Sequence, residues 1–385
     1  MYFEISRKDL LTPLKMITGV VEQRQTLPIL ANTLVSVKDN KLHLTATDAE
    51  VEMACRLPLE SGLGTDNDGE TTLPARKFFD ICKSLPDAAV IQVKTEENQA
   101  TLKAGNSKFK LQTLPAEDFP NSPQLSEPAE FNISQKRLKN SLSKTSFCIA
   151  TNDVRYYLTG LLLEIGDGKI SLVGTDGHRM AVTQHDFEST QTAKVIIPRK
   201  AVLELSKLLT ESDSDVKVSV DDNHIRFELN ESLLMSSKLI DGNFPDWNTV
   251  IPINTDKIVV ANTEQMKEGL SRASILSNEK YKGVRLMLTQ NLLTLSGKNA
   301  YQEEATDVVD IEYDGDELEI GFNGIYLFDA VNAISTKSVQ LAFGDANSSC
   351  LITEELPPVC WFMRLRSSSM VSIRWMPVVR RLWNL

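Results

Sequence analysis

The chain states one pattern three times. Leu44-Thr-Ala-Thr-Asp48-Ala-Glu50 returns as Leu172-Val-Gly-Thr-Asp176-Gly-His178, and more faintly as Leu295-Ser-Gly-Lys-Asn299-Ala-Tyr301. Other landmarks keep step. Phe3-Glu-Ile-Ser precedes Arg7-Lys-Asp-Leu, Phe131-Asn-Ile-Ser precedes Gln135-Lys-Arg-Leu, and Lys257-Ile-Val-Val-Ala precedes Glu264-Gln-Met-Lys. Pro74-Ala-Arg-Lys matches Pro198-Arg-Lys, and Asp118-Phe-Pro120 matches Asn243-Phe-Pro245. The steps of 128 and 123 residues are far longer than the ~20–50 residues of solenoid units. Each copy is therefore a domain, long enough to bury its own core. The reading divides the 385 residues into domains 1–127, 128–255 and 256–385. A chain of three similar domains suits part of a ring or an arc.

Within each copy the hydrophobic pattern predicts an α+β fold. A short strand leads into an amphipathic helix: Lys8 to Val20, Gln135 to Phe147, Thr263 to Ile275. In the first of these, Leu10, Leu11, Leu14 and Ile17 recur at helical spacing. Strands follow, such as Leu30 to Val37 with Leu42 to Ala46, and Leu158 to Glu164 with Ile170 to Gly174. Asp39-Asn40 and Asp167-Gly168 are hairpin-turn signals between them. A second helix comes next: Arg76 to Ser84, Lys200 to Leu209, Gly324 to Ile334. Pro74 and Pro198 stand near its start, where the missing amide proton is harmless. Strands around Val90 to Thr95 and Val216 to Val220 close the first two copies. The joints carry Pro115, Pro120, Pro123 and Pro128, then Pro245 and Pro252. They are short enough for rigid neighbours.

Composition describes an ordinary globular chain, 42% hydrophobic and 24% charged. No run reaches the length of a membrane span, and the N-terminus does not read as a signal peptide. The five cysteines (Cys55, Cys82, Cys148, Cys350, Cys360) lack metal-ligand spacing and read as reduced thiols of a cytoplasmic protein. The net charge of −11 does not exclude nucleic acid, because phosphate contacts depend on local basic patches. The stretch from Leu356 onward is atypical. It holds five arginines, no acidic residue and three of the four tryptophans. It reads as an extension or an altered reading frame, with a natural basic tail as the alternative.

Enzyme signals are missing. There is no Gly-rich phosphate loop, no His-Glu-x-x-His and no Gly-x-Ser-x-Gly. His43, His178, His185 and His224 are too scattered for a metal site, so no cofactor or metal is expected. Thr175-Asp176-Gly177-His178-Arg179 invites a catalytic Asp/His reading, and a hydrolase centred there is the alternative class. The first copy has Thr47-Asp48-Ala49-Glu50 at the same place, which points instead to turn chemistry with the Asp capping backbone amides. Basic residues gather on the predicted helices: Lys136, Arg137, Lys139 and Lys144; Arg199, Lys200 and Lys207; Arg76, Lys77 and Lys83; with Arg24 on an early loop. Such groups position DNA without reading its sequence.

At these residues the chain resembles the bacterial sliding clamps, the beta subunits of DNA polymerase III holoenzymes. The resemblance runs from Met1 to about Thr353. It rests on Thr26-Leu-Pro-Ile-Leu30, Pro74-Ala-Arg-Lys-Phe-Phe79, Asp153-Val-Arg-Tyr-Tyr157, Thr175-Asp-Gly-His-Arg179, Phe244-Pro-Asp246, and Ser277-Asn-Glu-Lys280 ahead of Gly283-Val-Arg285. It implies three clamp domains, each with two helices packed on antiparallel sheet, in a head-to-tail ring homodimer around duplex DNA. It also implies a non-catalytic processivity factor. The implied partners are double-stranded DNA without sequence preference, a second copy, the polymerase alpha subunit, the clamp loader, and other polymerases and repair proteins bearing short clamp-binding peptides. No membrane partner is implied. A topological tether raises the polymerase's effective concentration at the primer end.

Residue by residue, the resemblance points to Arg24, Arg76, Lys77, Lys83, Asn152, Tyr156, Tyr157, Arg199, Lys200 and Lys207 facing DNA. Tyr156 and Tyr157 would stack on unpaired bases. The partner-peptide pocket maps onto Leu158, Thr175, Gly177, His178, Arg179, Met180, Pro245, Val250 and Ser349, apolar walls with a few polar anchors. Thr249 stands where the family often has a basic residue. At the end of the chain, Met363-Arg364-Leu365 is a shifted echo of the family's closing sequence. The ring joint maps onto Lys108, Phe109, Lys110 and Leu111, opposite Ile275, Leu276, Gln302, Glu303 and Glu304. There Phe109 and Leu111 would supply apolar burial, and the lysines would meet the glutamates in complementary charge.

Overall fold

The computed structural model describes residues 1–22, 27–59 and 68–354 in full and the backbone of 359–363. Arg24 and the chain beyond Met363 lie outside the described residues, as do the side chains from Glu355 on.

Three copies of one ten-element order fill these residues. The first is β1 (Tyr2–Ser6), α1 (Arg7–Ile17), β2 (Asn32–Lys38), β3 (Lys41–Thr47), β4 (Val51–Pro58), β5 (Gly69–Pro74), α2 (Ala75–Ser84), β6 (Val90–Glu96), β7 (Gln99–Ala104) and β8 (Ser107–Gln112). The second is β9 (Ala129–Ser134), α3 (Gln135–Thr145), β10 (Gly160–Gly166), β11 (Lys169–Thr175), β12 (Arg179–Asp186), β13 (Ala193–Pro198), α4 (Arg199–Leu208), β14 (Asp215–Val220), β15 (His224–Asn230) and β16 (Leu233–Lys238). The third is β17 (Lys257–Asn262), α5 (Thr263–Ser274), β18 (Gly283–Thr289), β19 (Leu292–Lys298), β20 (Glu304–Glu312), β21 (Leu318–Asn323), α6 (Gly324–Asn332), β22 (Ser338–Phe343), β23 (Cys350–Glu354) and β24 (Val359–Met363).

Local chemistry explains the boundaries. The Ser6, Ser134, Asn262 and Asn323 side chains accept from the first free amides of α1, α3, α5 and α6. The other two helices begin directly after Pro74 and Pro198. Leu10, Leu14 and Ile17 are buried on one face of α1, as their spacing predicts. Asp39 and Asn40 both take positive φ (51° and 57°), as do Asp167 and Gly168 (51° and 71°). These are the conformations a two-residue hairpin turn requires. Leu30 falls in a 3₁₀ turn, Pro28–Ala31, and the strand begins only at Asn32. The atypical tail holds one strand that its lack of alternation did not predict, β24.

The chain divides into two compact units, each described by itself. The first comprises Met1–Leu172 with His185–Phe244. It contains a four-stranded sheet, β1-β6-β7-β8, and an eight-stranded sheet, β5-β2-β3-β4-β16-β15-β14-β9. The larger sheet crosses from copy one to copy two where β4 pairs antiparallel with β16, Met53 opposite Met235. One apolar core runs beneath both copies, from Phe3, Leu44 and Phe78 to Phe131, Leu205 and Phe227. The second unit comprises Val173–Gln184 and the chain from Pro245 on. Here β12 pairs antiparallel with β24, Ala181 opposite Trp361, and the order continues β23-β22-β17. Strands β20, β19, β18 and β21 pair in that order.

Candidate functional site: two joints, two open edges and a basic helix face

The repeated Thr-Asp segment is the turn between the fourth and fifth elements of a copy, β3 and β4 in the first and β11 and β12 in the second. In copy one, Asp48 Oδ1 accepts from Glu50 N (2.9 Å) and Val51 N (2.7 Å), and Thr47 Oγ1 accepts from Ala49 N (3.0 Å). In copy two, Asp176 Oδ1 accepts from His178 N and Arg179 N (both 2.9 Å), and Thr175 Oγ1 accepts from Gly177 N (3.1 Å). The third residue has positive φ in both, Ala49 at 77° and Gly177 at 81°. The threonine and aspartate are turn chemistry. Asp176 has its carboxylate engaged by its own backbone and by Arg179.

Each turn launches a strand that makes a joint. The fifth element of copy one, β4, meets the last strand of copy two, β16; β12 meets β24 in the same antiparallel sense. One strand of each kind is left over. β8 is the outer strand of its four-stranded sheet. β20 pairs with β17 only at Ile311 and Glu312, so its residues 304–310 present an edge. On β8, Lys108 and Lys110 are exposed while Leu111 is buried and Phe109 packs against the core of its own unit. In the single chain Leu111 is 8% exposed. On the other side, Ile275 is 74% exposed, Leu276 is half-buried, and Gln302, Glu303 and Glu304 are exposed. Glu303 accepts from Asn299 Nδ2, and Gln302 holds a positive φ of 67°.

Of the residues expected to form the peptide pocket, Thr175, Gly177, His178, Arg179 and Met180 lie at the end of β11 and the start of β12, and Pro245, Val250 and Ser349 lie elsewhere in the second unit. Met180 is buried, Pro245 and Ser349 are half-buried, and Gly177, His178 and Val250 are exposed. Arg179 is held from three sides. Its Nε donates to Asp176 Oδ2 (3.2 Å), its Nη1 to Asp329 Oδ2 (2.7 Å), and its guanidinium lies 4.3 Å from the Tyr326 ring centre. Such saturation by charge and ring fixes the guanidinium's plane. Asp329 and Tyr326 were not singled out from the sequence, where α6 reads as an apolar helix. Superposing the repeats would have found Asp329: β13 ends opposite Gly160 at Pro198, β21 opposite Gly283 at Asn323, so Asp329 stands where copy two has Glu204. Leu158 lies in the first unit, buried at 2% exposure in the turn before β10.

The basic set belongs to the first unit. Arg76, Lys77 and Lys83 are exposed on α2, although Arg76 Nη2 also donates to the Val21 carbonyl (2.8 Å). Lys207 is exposed on α4 and bonded to Glu204 (2.7 Å). Arg199 is half-buried. Asn152 is exposed. Tyr156 is 58% exposed and meets Tyr157 edge-on at 6.1 Å. A chelate between Arg155 and Asp153 shapes their loop. The loop also needs Gly242, where a Cβ would come within 3.2 Å of Tyr157 Cβ. Lys200 is different: its ammonium donates to Glu22 Oε1 (2.5 Å), to the Val20 carbonyl (3.3 Å) and to Asp48 Oδ2. Burial pulls its pKa down, and the bonds to Asp48 and Glu22 more than offset this, leaving it raised. In the third copy Lys267 of α5 is paired with Glu264. Arg272 of α5 is taken by Asp307 and Glu268.

Buried titratable groups elsewhere serve structure. Burial pushes the Cys55 and Cys82 thiols up to about 12, so both are unreactive. Burial, then the charges of Arg137 and Lys144, lowers His185, whose Nε2 lies 3.1 Å from Ser141 Oγ.

The chain matches the DNA polymerase III beta subunit family along its length: the N-terminal domain at residues 1–123, the central domain at 132–246 and the C-terminal domain at 248–358. This chain belongs to the bacterial beta sliding clamp family. It is 47% identical over 356 residues to the beta sliding clamp of Pseudomonas aeruginosa, covering 92% of this chain and 96% of that one. To the Escherichia coli K12 clamp it is 42% identical over 355 residues, with the same coverage. A crystal structure of the Pseudomonas aeruginosa clamp superposes with a TM-score of 0.91 at 45% identity, covering 95% of this chain and 100% of that chain. A clamp from Bartonella birtlesii bound to griselimycin gives 0.90 at 34% identity, covering 95% and 99%. The clamp is a processivity factor of DNA replication, and its α+β architecture of repeated domains is that of its relatives. Among the described residues no helix is long and apolar enough to cross a membrane.

Proposed function

We propose that two copies close head to tail into a ring of six domains, β8 of each pairing with β20 of the other, around duplex DNA. The domains are 1–127, 128–255 and 256–385. One observation supports this: the same strand pairing is made twice within the chain, while among the described residues β8 ends its sheet and residues 304–310 of β20 are paired on one side alone. Carrying the β4·β16 register onto the free edges sets Lys110 opposite Glu304 and Phe109 opposite Ala305. Lys108 and Lys110 on one edge and Glu303, Glu304, Asp307 and Asp310 on the other are complementary. Ile275, largely exposed in the single chain, is the apolar contact beside them.

The exposed lysines and arginines of α2 and α4, with Arg24, Asn152, Tyr156 and Tyr157, face the DNA. Their contacts are sequence-blind and individually weak, which is what sliding needs. The clamp itself is non-catalytic and works in the cytoplasm. Around Thr175, Gly177, His178, Arg179, Met180, Pro245, Val250 and Ser349 it receives short, largely apolar peptides. The polymerase alpha subunit, the clamp loader, other polymerases and repair proteins bring them. Met180 and Val250 form the apolar wall, and the pinned Arg179 keeps the β12 turn in place.

Light-scattering mass of the full chain tests the ring. Twice the chain mass at micromolar concentration is expected; a monomer under those conditions overturns the reading.

A further inference from the structure

The two joints inside the chain use the same turn and close it differently. Asp48 and Asp176 each spend one carboxylate oxygen on two backbone amides of their own turn. The other oxygen of Asp176 goes to Arg179, on the strand that follows it. The other oxygen of Asp48 goes to Lys200, at the start of the second helix of the next copy. Asp48 is 5% exposed at its side chain, so this is a sheltered contact. Lys200 also reaches the carbonyl of Val20, just beyond the end of α1, where helix-terminal carbonyls favour a cation. Glu22 adds a second carboxylate. All three oxygens belong to copy one and the ammonium to copy two.

We infer that Lys200 is a positioning residue that ties the first clamp domain to the second, rather than one of the phosphate contacts. The inference rests on the clamp reading, because it reassigns one member of the DNA-facing set. An ammonium has three protons, and here each has an oxygen from copy one. A phosphate can recruit Lys200 only by displacing Asp48, leaving that sheltered carboxylate without its cation. Glu204, one turn further along α4, approaches copy one closely as well: a Cβ at Gly19 would lie 2.8 Å from its Oε2. The tie therefore sets the angle at which α4 meets the end of α1, and with it the turn of the ring at this joint.

The test uses the full-length chain with Lys200→Met and Lys200→Arg, and Lys77→Met as the exposed comparison. Hydrogen exchange is followed on β4 and β16, and association with linear duplex DNA is followed against salt. Lys200→Met is expected to speed exchange of the β4·β16 amides about tenfold, while β12 keeps its protection. Lys200→Arg restores most of it. The salt slope stays that of the parent, whereas Lys77→Met lowers it by about one. Unchanged β4·β16 exchange, or a slope lowered as much as by Lys77→Met, overturns the tie. If the parent chain shows no salt-dependent association with DNA, the clamp reading fails instead, and the exchange result alone decides the tie.

Discussion

At the first joint a lysine from the following copy closes the Asp48 turn, and a single apolar core continues underneath. At the second joint, the equivalent Asp176 is satisfied by Arg179 from its own strand, and the guanidinium passes on to Asp329 and Tyr326. The strand after each turn differs in the same spirit. Position two of β4 is Glu52, buried, hydrogen-bonded to Ser122 and in the field of Arg226. Position two of β12 is Met180. Arg226 in turn donates to the Pro123 carbonyl (2.6 Å), and Asp221 accepts from Ser126 N (3.0 Å), so the first linker is bonded down beside its joint. One plan thus yields a sealed joint where the positions are charged and paired, and a receptive one where they are apolar and the cation is kept on its own strand. The lesson is that the placement of one cation, not the backbone, distinguishes the two joints.

The largest expected effect concerns the joint that only a second copy can make. If it repeats the β4·β16 register, Lys110→Glu sets like charges opposite each other and weakens the dimer by about a hundredfold or more. Glu304→Lys in the same chain brings most of that back, read as mass against dilution. Failure of the pair to compensate breaks the register. Next comes Arg179→Ala. It strands Asp176 and Asp329, at a cost of about 2 kcal/mol, less than for a fully buried pair because Asp329 is a third exposed. The second unit melts earlier, and a clamp-binding peptide binds about tenfold more weakly by calorimetry. Equal affinity would mean the pin does not shape the pocket.

A smaller effect sharpens the first joint. Burial raises the Glu52 carboxyl, against the pull of Ser122 and Arg226. Its folded pKa lies above the unfolded one, so the folded state holds the proton more tightly and stability is lost as pH rises through that range. Glu52→Gln should therefore raise the melting temperature slightly at neutral pH, with the gain fading in acid. A loss at neutral pH would show that the ionised form is the stabilising one. The smallest change is Lys77→Ala, which lowers the salt slope of DNA association by about one, so the loss of affinity is slight near molar salt and grows as salt is lowered.

Much of this was legible beforehand, for local reasons. Asp39-Asn40 and Asp167-Gly168 specify hairpins because few residues tolerate their φ. Pro74 and Pro198 mark helix starts because proline is free there. The Asp48 and Asp176 turns followed from recurrence of a side chain that bonds its own backbone. What was not legible is long-range. The sequence of β4 does not say that β16 is its neighbour, and β24 shows no alternation at all. Lys200 looked like any basic residue on a solvated helix, because its partners lie about 150 and 180 residues away.

Two complementary open edges on one chain have a cost of their own. A head-to-tail contact that fails to close on itself continues indefinitely, so a clamp with a mis-set joint angle is the repeat unit of a fibre. The lysines of β8 then have a second duty: they keep that edge from zipping onto neutral strands of unrelated chains while the acidic edge of β20 is absent. In the proposed ring both edges would be covered at once, so the geometry that serves processivity would also protect the protein from its own polymerisation.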